Sequence, residues 1–312
     1  ALADQTVTVT TTDNDTAGFT LSATTATVTE AAGGGNTATY TVVLDAQPDS
    51  DVVISVTSGD TGEVTVSAAT LTFTNANWSN AQTVTLTGVD DNLIDVDTQT
   101  TVTMAVVDND SDDNFDSVAN QTVTVTTTDN DTAAFTLGAI SGTVTEAGST
   151  ATFTVVLGAQ PDSDVVISVT SGDTGEATVS PATLTFTNGN WNSTQTVTVT
   201  GVDDNIIDGN INTTITMAVV DNDSDDNFDA LADQTVTATT VDDDTAGFTL
   251  STTTATVAET GTTATFTVVL DAEPSSNVVI SVTSGDTGEA TVSAENLTFT
   301  TANWDSAQTV TV

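Results

Sequence analysis

The residues with the clearest chemistry in this sequence are carboxylates, and they recur in short motifs. Three acidic or amide residues stand together where a Val/Thr run ends, as Asp-Asn-Asp at 13–15 and 129–131 and as Asp-Asp-Asp at 242–244. Gly-Val-Asp-Asp occurs at 88–91 and 201–204, and each copy is followed four residues later by a further Asp. Calcium takes oxygen ligands from Asp, Glu and Asn in flexible geometry, whereas magnesium keeps several of its waters. The motifs therefore predict a divalent-cation site for Ca2+.

The composition leaves these carboxylates without a cationic partner. The 312 residues include 44 Asp plus Glu and no Lys, Arg, His or Cys. No side-chain salt bridge can form, so the negative charge is neutralised by backbone and hydroxyl donors or by bound cations. Binding to nucleic acid or to an anionic membrane depends on Lys and Arg, which excludes both as partners.

The same composition argues against an enzyme. Without His, Cys, Lys or Arg, only a paired-carboxylate mechanism of the glycosidase type remains available. An active site copied into every repeat of a chain is not expected, and we predict that the protein is not an enzyme.

The chain is built from internal repeats. Trp78, Trp191 and Trp304 are each 113 residues apart, which is the size of one β-sandwich domain. We predict four segments: the last strand of a preceding repeat (1–15), two full repeats (16–131 and 132–244) and a partial third repeat (245–312). Two interpretations of the chain's ends stay open. The sequence is either part of a longer tandem array, or a separate subunit whose N-terminal strand completes the incomplete C-terminal domain of a neighbouring subunit.

Alternation of Val and Thr with a period of two predicts strands throughout. The fold class expected is all-β, with tandem antiparallel β-sandwich domains in a linear array, and Phe73, Trp78 and Phe115 contributing to the core. In the first full repeat the predicted strands are 18–22, 25–30, 37–45, 51–58, 63–67, 70–74, 82–88, 99–107 and 121–128.

If successive strands are antiparallel, their connecting loops alternate between two ends of the domain. Asp60 and Glu63 then share one pole with the six predicted ligands of the first full repeat: Glu30, Asp90, Asp91, Asp95, Asp129 and Asp131. So many carboxylates at one pole repel one another by several kcal/mol unless a cation lies among them. Asp49, Asp51 and the acidic loop 108–116 are expected at the opposite pole, where the loop is a further source of oxygen ligands. That loop lacks the Gly and Glu of an EF-hand and is not predicted to be one.

The ordered set of motifs resembles Calx-beta domains, in the form found as tandem arrays in bacterial surface proteins. The matching residues are Val-Thr-Glu at 28–30, Phe-Thr-x-x-x-Trp at 73–78 before Gln82, the Gly-Val-Asp-Asp-x-x-x-Asp loop and the terminal acidic triplet. The resemblance covers essentially the whole chain and implies a seven-stranded, Ig-like sandwich that binds several calcium ions at one pole.

The resemblance carries the predicted ligands into the other repeats. In the second full repeat they are Glu146, Asp203, Asp204, Asp208, Asp242, Asp243 and Asp244, and in the incomplete repeats Asp13, Asp15 and Glu259. Asn14 and Asn130 depart from an all-acidic triplet; because Asn is a neutral ligand, those sites are expected to hold fewer ions or to bind them more weakly.

Similar repeats with short connections favour a structural array that works outside the cell, on the cell surface, as a stalk, fibre or filament stiffened by calcium at its interdomain seams. The expected partners are calcium ions, other copies of the chain in a fibre, and glycans at sequons such as those of Asn77 and Asn212. No segment of the sequence is expected to insert into a membrane. The alternative is a calcium-dependent adhesion module that binds sugars or a partner protein. That alternative calls for exposed aromatics in a variable loop, and the variable loop at 31–36 has none.

Overall fold

A computed structural model of the chain describes residues 2–31 and 36–312, so most of the variable loop at 31–36 lies outside the described residues. Within these residues the fold is all-β, as predicted, and the only helical elements are single 3-10 turns at Asp108–Asp110 and Asp221–Asp223. No helix in the described part of the chain is long and apolar enough to cross a membrane. The chain divides into two compact units, residues 1–132 and 133–312.

The first unit contains one β-sandwich. Its nine strands are β1 (Phe19–Leu21), β2 (Thr25–Thr29), β3 (Thr37–Leu44), β4 (Val52–Ser58), β5 (Val64–Val66), β6 (Thr70–Phe73), β7 (Gln82–Gly88), β8 (Thr98–Val106) and β9 (Gln121–Thr128). They form two sheets, in the orders β1-β3-β7-β5 and β2-β9-β8-β4-β6. Each predicted strand of this repeat is confirmed to within one residue at either end. Residues 2–18 form no strand.

One pairing in this sandwich is parallel, where the sequence predicted antiparallel strands. β2 pairs with β9 from Thr25 opposite Thr124 to Thr29 opposite Thr128. The reason is that β1 and β2 belong to different sheets, so β2 crosses the sandwich and adds beside the last strand of the repeat. The two strands consequently end at the same edge.

The second unit repeats this architecture and then continues into a smaller one. Its first nine strands are β10 (Phe135–Leu137), β11 (Val144–Thr145), β12 (Thr150–Leu157), β13 (Val165–Ser171), β14 (Ala177–Ser180), β15 (Thr183–Phe186), β16 (Gln195–Gly201), β17 (Ile211–Val219) and β18 (Gln234–Val241). They form sheets in the same two orders, again with a parallel pair, β11 with β18. The third repeat contributes β19 (Phe248–Leu250), β20 (Thr265–Leu270), β21 (Val278–Ser281), β22 (Asn296–Phe299) and β23 (Gln308–Thr311).

The core of each full repeat lies between its two sheets. Along the long strands buried and exposed positions alternate with a period of two: most buried side chains are Val, Leu, Ile, Phe or Met, and most outward ones are Thr. The buried threonines Thr100, Thr127, Thr213 and Thr240 are exceptions. Phe73 and Phe115 are fully buried, as predicted, and Trp78 packs against the core from its edge. The partial third repeat covers its core less well: Phe248 is 52% exposed, whereas the equivalent Phe19 is 2% exposed.

The acidic residues all lie outside the β-strands. None of the 44 Asp and Glu residues lies within a strand; all are in connecting segments. Side chains opposite each other on neighbouring strands lie only about 4.5–5.5 Å apart, and like charges there are destabilising. A chain with no Lys or Arg has no means of offsetting that repulsion, so its carboxylates are concentrated in the loops at the two ends of each sandwich.

Candidate metal centre

In the first unit, carboxylates from four separate connections meet at one pole of the sandwich. Oxygen atoms of Glu30, Asp91 and Asp131 all lie within 4.8 Å of one another, and so do those of Glu30, Glu63 and Asp95. Glu30 therefore belongs to both groups. The structure brings together four of the six ligands predicted for this repeat and adds Glu63, which was placed at this pole but not among the ligands.

The parallel strand pair explains how Glu30 reaches this position. Glu30 directly follows β2, and its N–H donates to the carbonyl of Thr128, the last residue of β9, at 3.2 Å. Because parallel strands end at the same edge, the end of β2 is held next to the acidic triplet after β9. Gly88 completes the arrangement: a Cβ at Gly88 would lie 2.2 Å from the carbonyl oxygen of Thr29. Only glycine allows β7 to come so close before it turns into Asp90 and Asp91.

The buried glutamates of this pole have unmet hydrogen-bonding capacity. Glu30 is 1% exposed and Glu63 is 9% exposed, and the Oε2 atom of each is buried with no hydrogen-bond partner. Burial, together with the charges on Asp95 and Asp91, raises the pKa of Glu30 to about 7. Burial also raises the pKa of Glu63, with Asp95 as its largest charged neighbour. A buried carboxylate without a partner is strongly disfavoured, and a cation is the group that would relieve it.

The second unit repeats the site with a different shared ligand. Oxygen atoms of Glu146, Asp204 and Asp244 lie within 4.8 Å of one another, as do those of Glu176, Asp204 and Asp208. Here Asp204 belongs to both groups. Both glutamates are buried, and Oε2 of Glu176 has no partner.

Glu146 differs from Glu30 in having one backbone donor. The N–H of Asp243 donates to its Oε2 at 3.4 Å. Burial nevertheless raises the pKa of Glu146 to about 7, against the lowering effect of that hydrogen bond.

The other predicted ligands lie beside these groups and shape the backbone around them. Asp90 accepts a hydrogen bond from the Asn130 side chain at 3.2 Å, and Asp129 accepts the N–H of Asp131 at 2.7 Å. In the second unit Asp242 accepts the N–H groups of Gly209 and Asp244, both at 2.8 Å. Asp203 and Asp243 are exposed. The pKa of Asp244 is raised mainly by its burial, and in addition by the negative charges of Asp242, Asp243, Asp204 and Asp203.

Eight predicted ligands lie outside every such group among the described residues: the five just named, Asp90, Asp129, Asp203, Asp242 and Asp243, and three that are remote from the groups, Asp13, Asp15 and Glu259. Asp13 and Asp15 are exposed in the segment before β1 that forms no strand. Glu259 is also exposed. Their assignment as ligands remains a prediction.

Glu63 and Glu176 are the site residues that sequence reasoning missed as ligands. Both end the motif Ser-Gly-Asp-Thr-Gly-Glu, at 58–63 and 171–176. In the first copy the Asp60 side chain accepts the N–H of Gly62 at 2.8 Å, which closes a tight turn. Each Glu then comes directly before a buried residue at the start of a sheet segment. The position of each Glu directly before a buried strand residue is the sequence feature that indicates its burial.

The acids of the opposite pole have a structural role. Asp112 is buried and accepts backbone N–H groups from Asp49 at 2.6 Å, Ser50 at 3.0 Å and Asn114 at 2.9 Å. These hydrogen bonds, that of Asn114 first, lower the pKa of Asp112. In the described parts of the chain, no group of acids at this pole comes close enough to hold an ion. The expected oxygen ligands of the 108–116 loop are therefore not assembled.

Comparison with known proteins gives structural neighbours only. No family model and no curated protein matches the sequence. The fold is similar to a solved structure titled CBD12 from CALX1.2, at 14% identity over 64% of this chain and 80% of that one, with a TM-score of 0.29.

Domains of surface-layer proteins are also among the neighbours. Domains 4 and 5 of the S-layer protein SbsC are 21% identical over 60% of this chain and 70% of that one, with a TM-score of 0.28. A structure of SbsC domains 1–6 is 18% identical over 83% of this chain and 28% of that one, with a TM-score of 0.31. The case for a function rests on the chain's own residues.

Proposed function

We propose that one pole of each full repeat binds Ca2+, and that the chain is an extracellular structural array, a stalk, fibre or filament, whose interdomain seams are stiffened by the bound ions. The observation that carries this proposal is the pair of buried glutamates at each pole. Oε2 of Glu30, Glu63 and Glu176 has no hydrogen-bond partner, in a chain without a single cationic side chain.

The donor set favours calcium over other metals. All the ligand atoms are carboxylate oxygens, with Asn side chains nearby, and there is no His or Cys to favour zinc or copper. The oxygens of each group lie within 4.8 Å of one another, which is close to the separation of oxygens that contact one ion at calcium's bond length of about 2.3–2.6 Å. Because each pole has two groups that share one residue, we propose that it takes two ions bridged by Glu30 in the first repeat and by Asp204 in the second.

The proposed stiffening of the seam rests on a contact inside the second unit. Asp204 accepts the N–H of Ile206 at 2.7 Å, which fixes the turn after the Gly-Val-Asp-Asp motif. The carbonyl of the intervening Asn205 accepts the N–H of Glu273, a residue of the third repeat, at 2.6 Å, and Ile206 forms an isolated parallel bridge with Glu273. An ion that orders Asp204 therefore also orders the residues that contact the next repeat.

The surface role is proposed from the repeat organisation and the charge. A net charge of −44 keeps the chain soluble and makes close self-association dependent on cations or on attached glycans. Sites of this kind in extracellular modules bind calcium at about 10⁻⁴–10⁻³ M, which matches an extracellular setting.

A distance measurement across the contact between the second and third repeats tests this function. The chain has no cysteine, so Thr196→Cys with Thr301→Cys introduces one unique pair of labelling sites on exposed positions. We expect the distance distribution between the labels to narrow when calcium is added to the chelator-treated chain. Asp204→Asn, which keeps an acceptor oxygen for Ile206 but removes the shared charge, should shift the narrowing to higher calcium.

Asp305→Asn, an exposed acid of the third repeat outside both groups, is the matched control and should behave as the parent. An equally broad distribution with and without calcium in the parent chain would refute the stiffening. Narrowing at the same calcium concentration in parent and Asp204→Asn would refute the assignment of the ligand.

A further inference from the structure

The loop that follows the Gly-Val-Asp-Asp motif contains a strained residue in the first unit. Val96 has a φ of 65°, in the left-handed region, and it is the one non-glycine residue with a positive φ in the described parts of the chain. A β-branched residue is rare in this conformation, because its Cβ crowds the following carbonyl oxygen. The Val96 side chain is 72% exposed, so packing does not compensate for the strain.

The second unit makes the same turn without this strain. The sequences Gly-Val-Asp-Asp-Asn-Leu-Ile-Asp-Val at 88–96 and Gly-Val-Asp-Asp-Asn-Ile-Ile-Asp-Gly at 201–209 align residue by residue, so Gly209 is the counterpart of Val96. Gly209 has a φ of 77°, which glycine adopts without a steric penalty. The left-handed turn is therefore common to both loops, and the residue type at the turn is what differs.

Each turn directly follows a carboxylate of the proposed metal centre. Asp95, which belongs to the same group as Glu63, precedes Val96. In the second unit Asp208 occupies the same place before Gly209. The backbone dihedral angles of a residue set the path of the chain on both sides of it, so a change of conformation at the turn moves the carboxylate that precedes it.

The hydrogen bonds at the two turns also differ. The N–H of Gly209 donates to Oδ2 of Asp242, in the acidic triplet after β18, at 2.8 Å. The hydrogen bond described at Val96 is local, because its carbonyl accepts the hydroxyl of Thr98, two residues further on, at 3.3 Å. The second turn is thus tied to a separate part of the site, whereas the bond at the first turn lies within its own segment.

We propose that Val96 is a positioning residue that lowers the Ca2+ affinity of the first pole relative to the second. Asp95 joins its group when Val96 takes the left-handed conformation, and the loop relaxes toward an ordinary φ when no ion holds Asp95. Binding at the first pole therefore includes the strain of the turn, and binding at the second pole does not. This inference rests on the proposed calcium binding and goes beyond it, because neither Val96 nor Gly209 is a ligand.

The size of the effect follows from the cost of the left-handed conformation. For a residue with a Cβ that cost corresponds to roughly 5- to 30-fold in an equilibrium constant. The greater conformational freedom of glycine in the ion-free loop offsets part of the gain. In the full chain, Val96→Gly should therefore raise the calcium affinity of the first pole about threefold to tenfold.

The reciprocal change, Gly209→Val, should lower the calcium affinity of the second pole by a similar factor. A Cβ at this position meets no atom beyond its chain neighbours within 4 Å, so a steric clash would not explain the loss. Calorimetric titration of the full chain with CaCl2 measures both poles. The class of sites whose affinity falls in Asp204→Asn belongs to the second pole.

Two control variants separate the strain from other effects. Val96→Ile keeps a β-branched side chain at the turn and should leave the affinity of the first pole at its parent value. Asn92→Gly adds a glycine to the same loop, at an exposed position without a positive φ, and should not raise the affinity. The melting temperature in excess chelator is a second readout, and Val96→Gly should leave it close to that of the parent, because the ion-free loop is already relaxed.

Parent-like affinity of the first pole in Val96→Gly would overturn this inference and leave calcium binding itself intact. A higher melting temperature in chelator without a gain in affinity would also overturn it, because the turn would then be strained with or without the ion. An equal gain in Asn92→Gly would overturn it as well, since flexibility of the loop would be the cause. Absence of calcium binding in the parent chain is a separate outcome that refutes the proposed function together with this inference.

Discussion

Replacing the buried glutamates of both poles by glutamine, as Glu30→Gln with Glu146→Gln, should make the stability of the metal-free protein much less dependent on pH. Both glutamates have pKa values of about 7 in the folded chain, against an ordinary value of 4.5. The folded state thus favours their protonated form. Their contribution to stability is fully present below pH 4.5 and is lost as the pH rises through 7.

The size of this loss follows from the shift. One pKa unit corresponds to about 1.36 kcal/mol, so a rise from 4.5 to about 7 corresponds to about 3 kcal/mol for each glutamate. This is an upper figure, because the unfolded chain is not fully solvated and relaxation of the loops lowers it. The two sites lie in separate repeats, and their effects should add. Unmet hydrogen bonds of the new amide cost about 1–3 kcal/mol, but they do not depend on pH.

The assay is urea unfolding in excess chelator at a series of pH values between 4.5 and 8. The parent should lose stability across this range, and the double variant should lose much less. Glu259→Gln is the matched control, since it changes the equivalent residue of the third repeat, where the side chain is exposed and belongs to none of the carboxylate groups found among the described residues. Parallel pH profiles for the parent and the double variant would refute the claim that these glutamates are buried as ionisable groups in the metal-free fold.

Three further predictions address the surroundings of the site. Gly201→Ala places a Cβ 2.1 Å from the Thr145 carbonyl oxygen, and we expect it to lower both the melting temperature and the calcium affinity in calorimetric measurements. Gly189→Ala is the control: its Cβ comes no closer than 3.9 Å to its neighbours, and both quantities should stay unchanged. Asp112→Asn replaces acceptor oxygens by an amide that faces N–H donors and should lower stability at pH 7 by about 1–3 kcal/mol in thermal unfolding, with calcium affinity unchanged. The difference should shrink as the pH falls and Asp112 itself becomes protonated, because its lowered pKa makes its contribution present above its ordinary value of 3.8. Asn130→Asp adds a charge to the first acidic triplet and should raise calcium affinity and lower metal-free stability, as followed by titration and by melting in chelator.

Much of the fold follows directly from the sequence, because its alternation is so regular. In β3, Tyr40 and Val42 alternate with Thr39 and Thr41, and Tyr40 and Val42 are the buried residues. The parallel pairing of β2 with β9 could not be predicted in this way. It joins Thr25 to Thr124, about a hundred residues along the chain, and the alternation is satisfied equally well by several neighbours.

The site was predictable at the level of which loops share a pole, and less so at the level of individual oxygens. Following the alternating directions of successive strands placed Glu30, Asp91 and Asp131 at the same pole. This argument does not depend on side-chain conformations. Glu63 was placed at this pole but was missed as a ligand, because it stands outside the acidic motifs. The sharing of Glu30 in one repeat and of Asp204 in the other depends on distances of a few ångströms, which a shared motif does not encode.

Calcium binding is the central claim, and calorimetric titration of the chelator-stripped full chain near pH 7 tests it most directly. Run in buffers of different ionisation enthalpy, the titration reports both binding and proton release. Because Glu30 and Glu146 have pKa values of about 7 in the metal-free fold, saturable binding should be accompanied by release of protons, and excess magnesium should not abolish it. Absence of saturable heat, or binding that is independent of the buffer, would contradict the account.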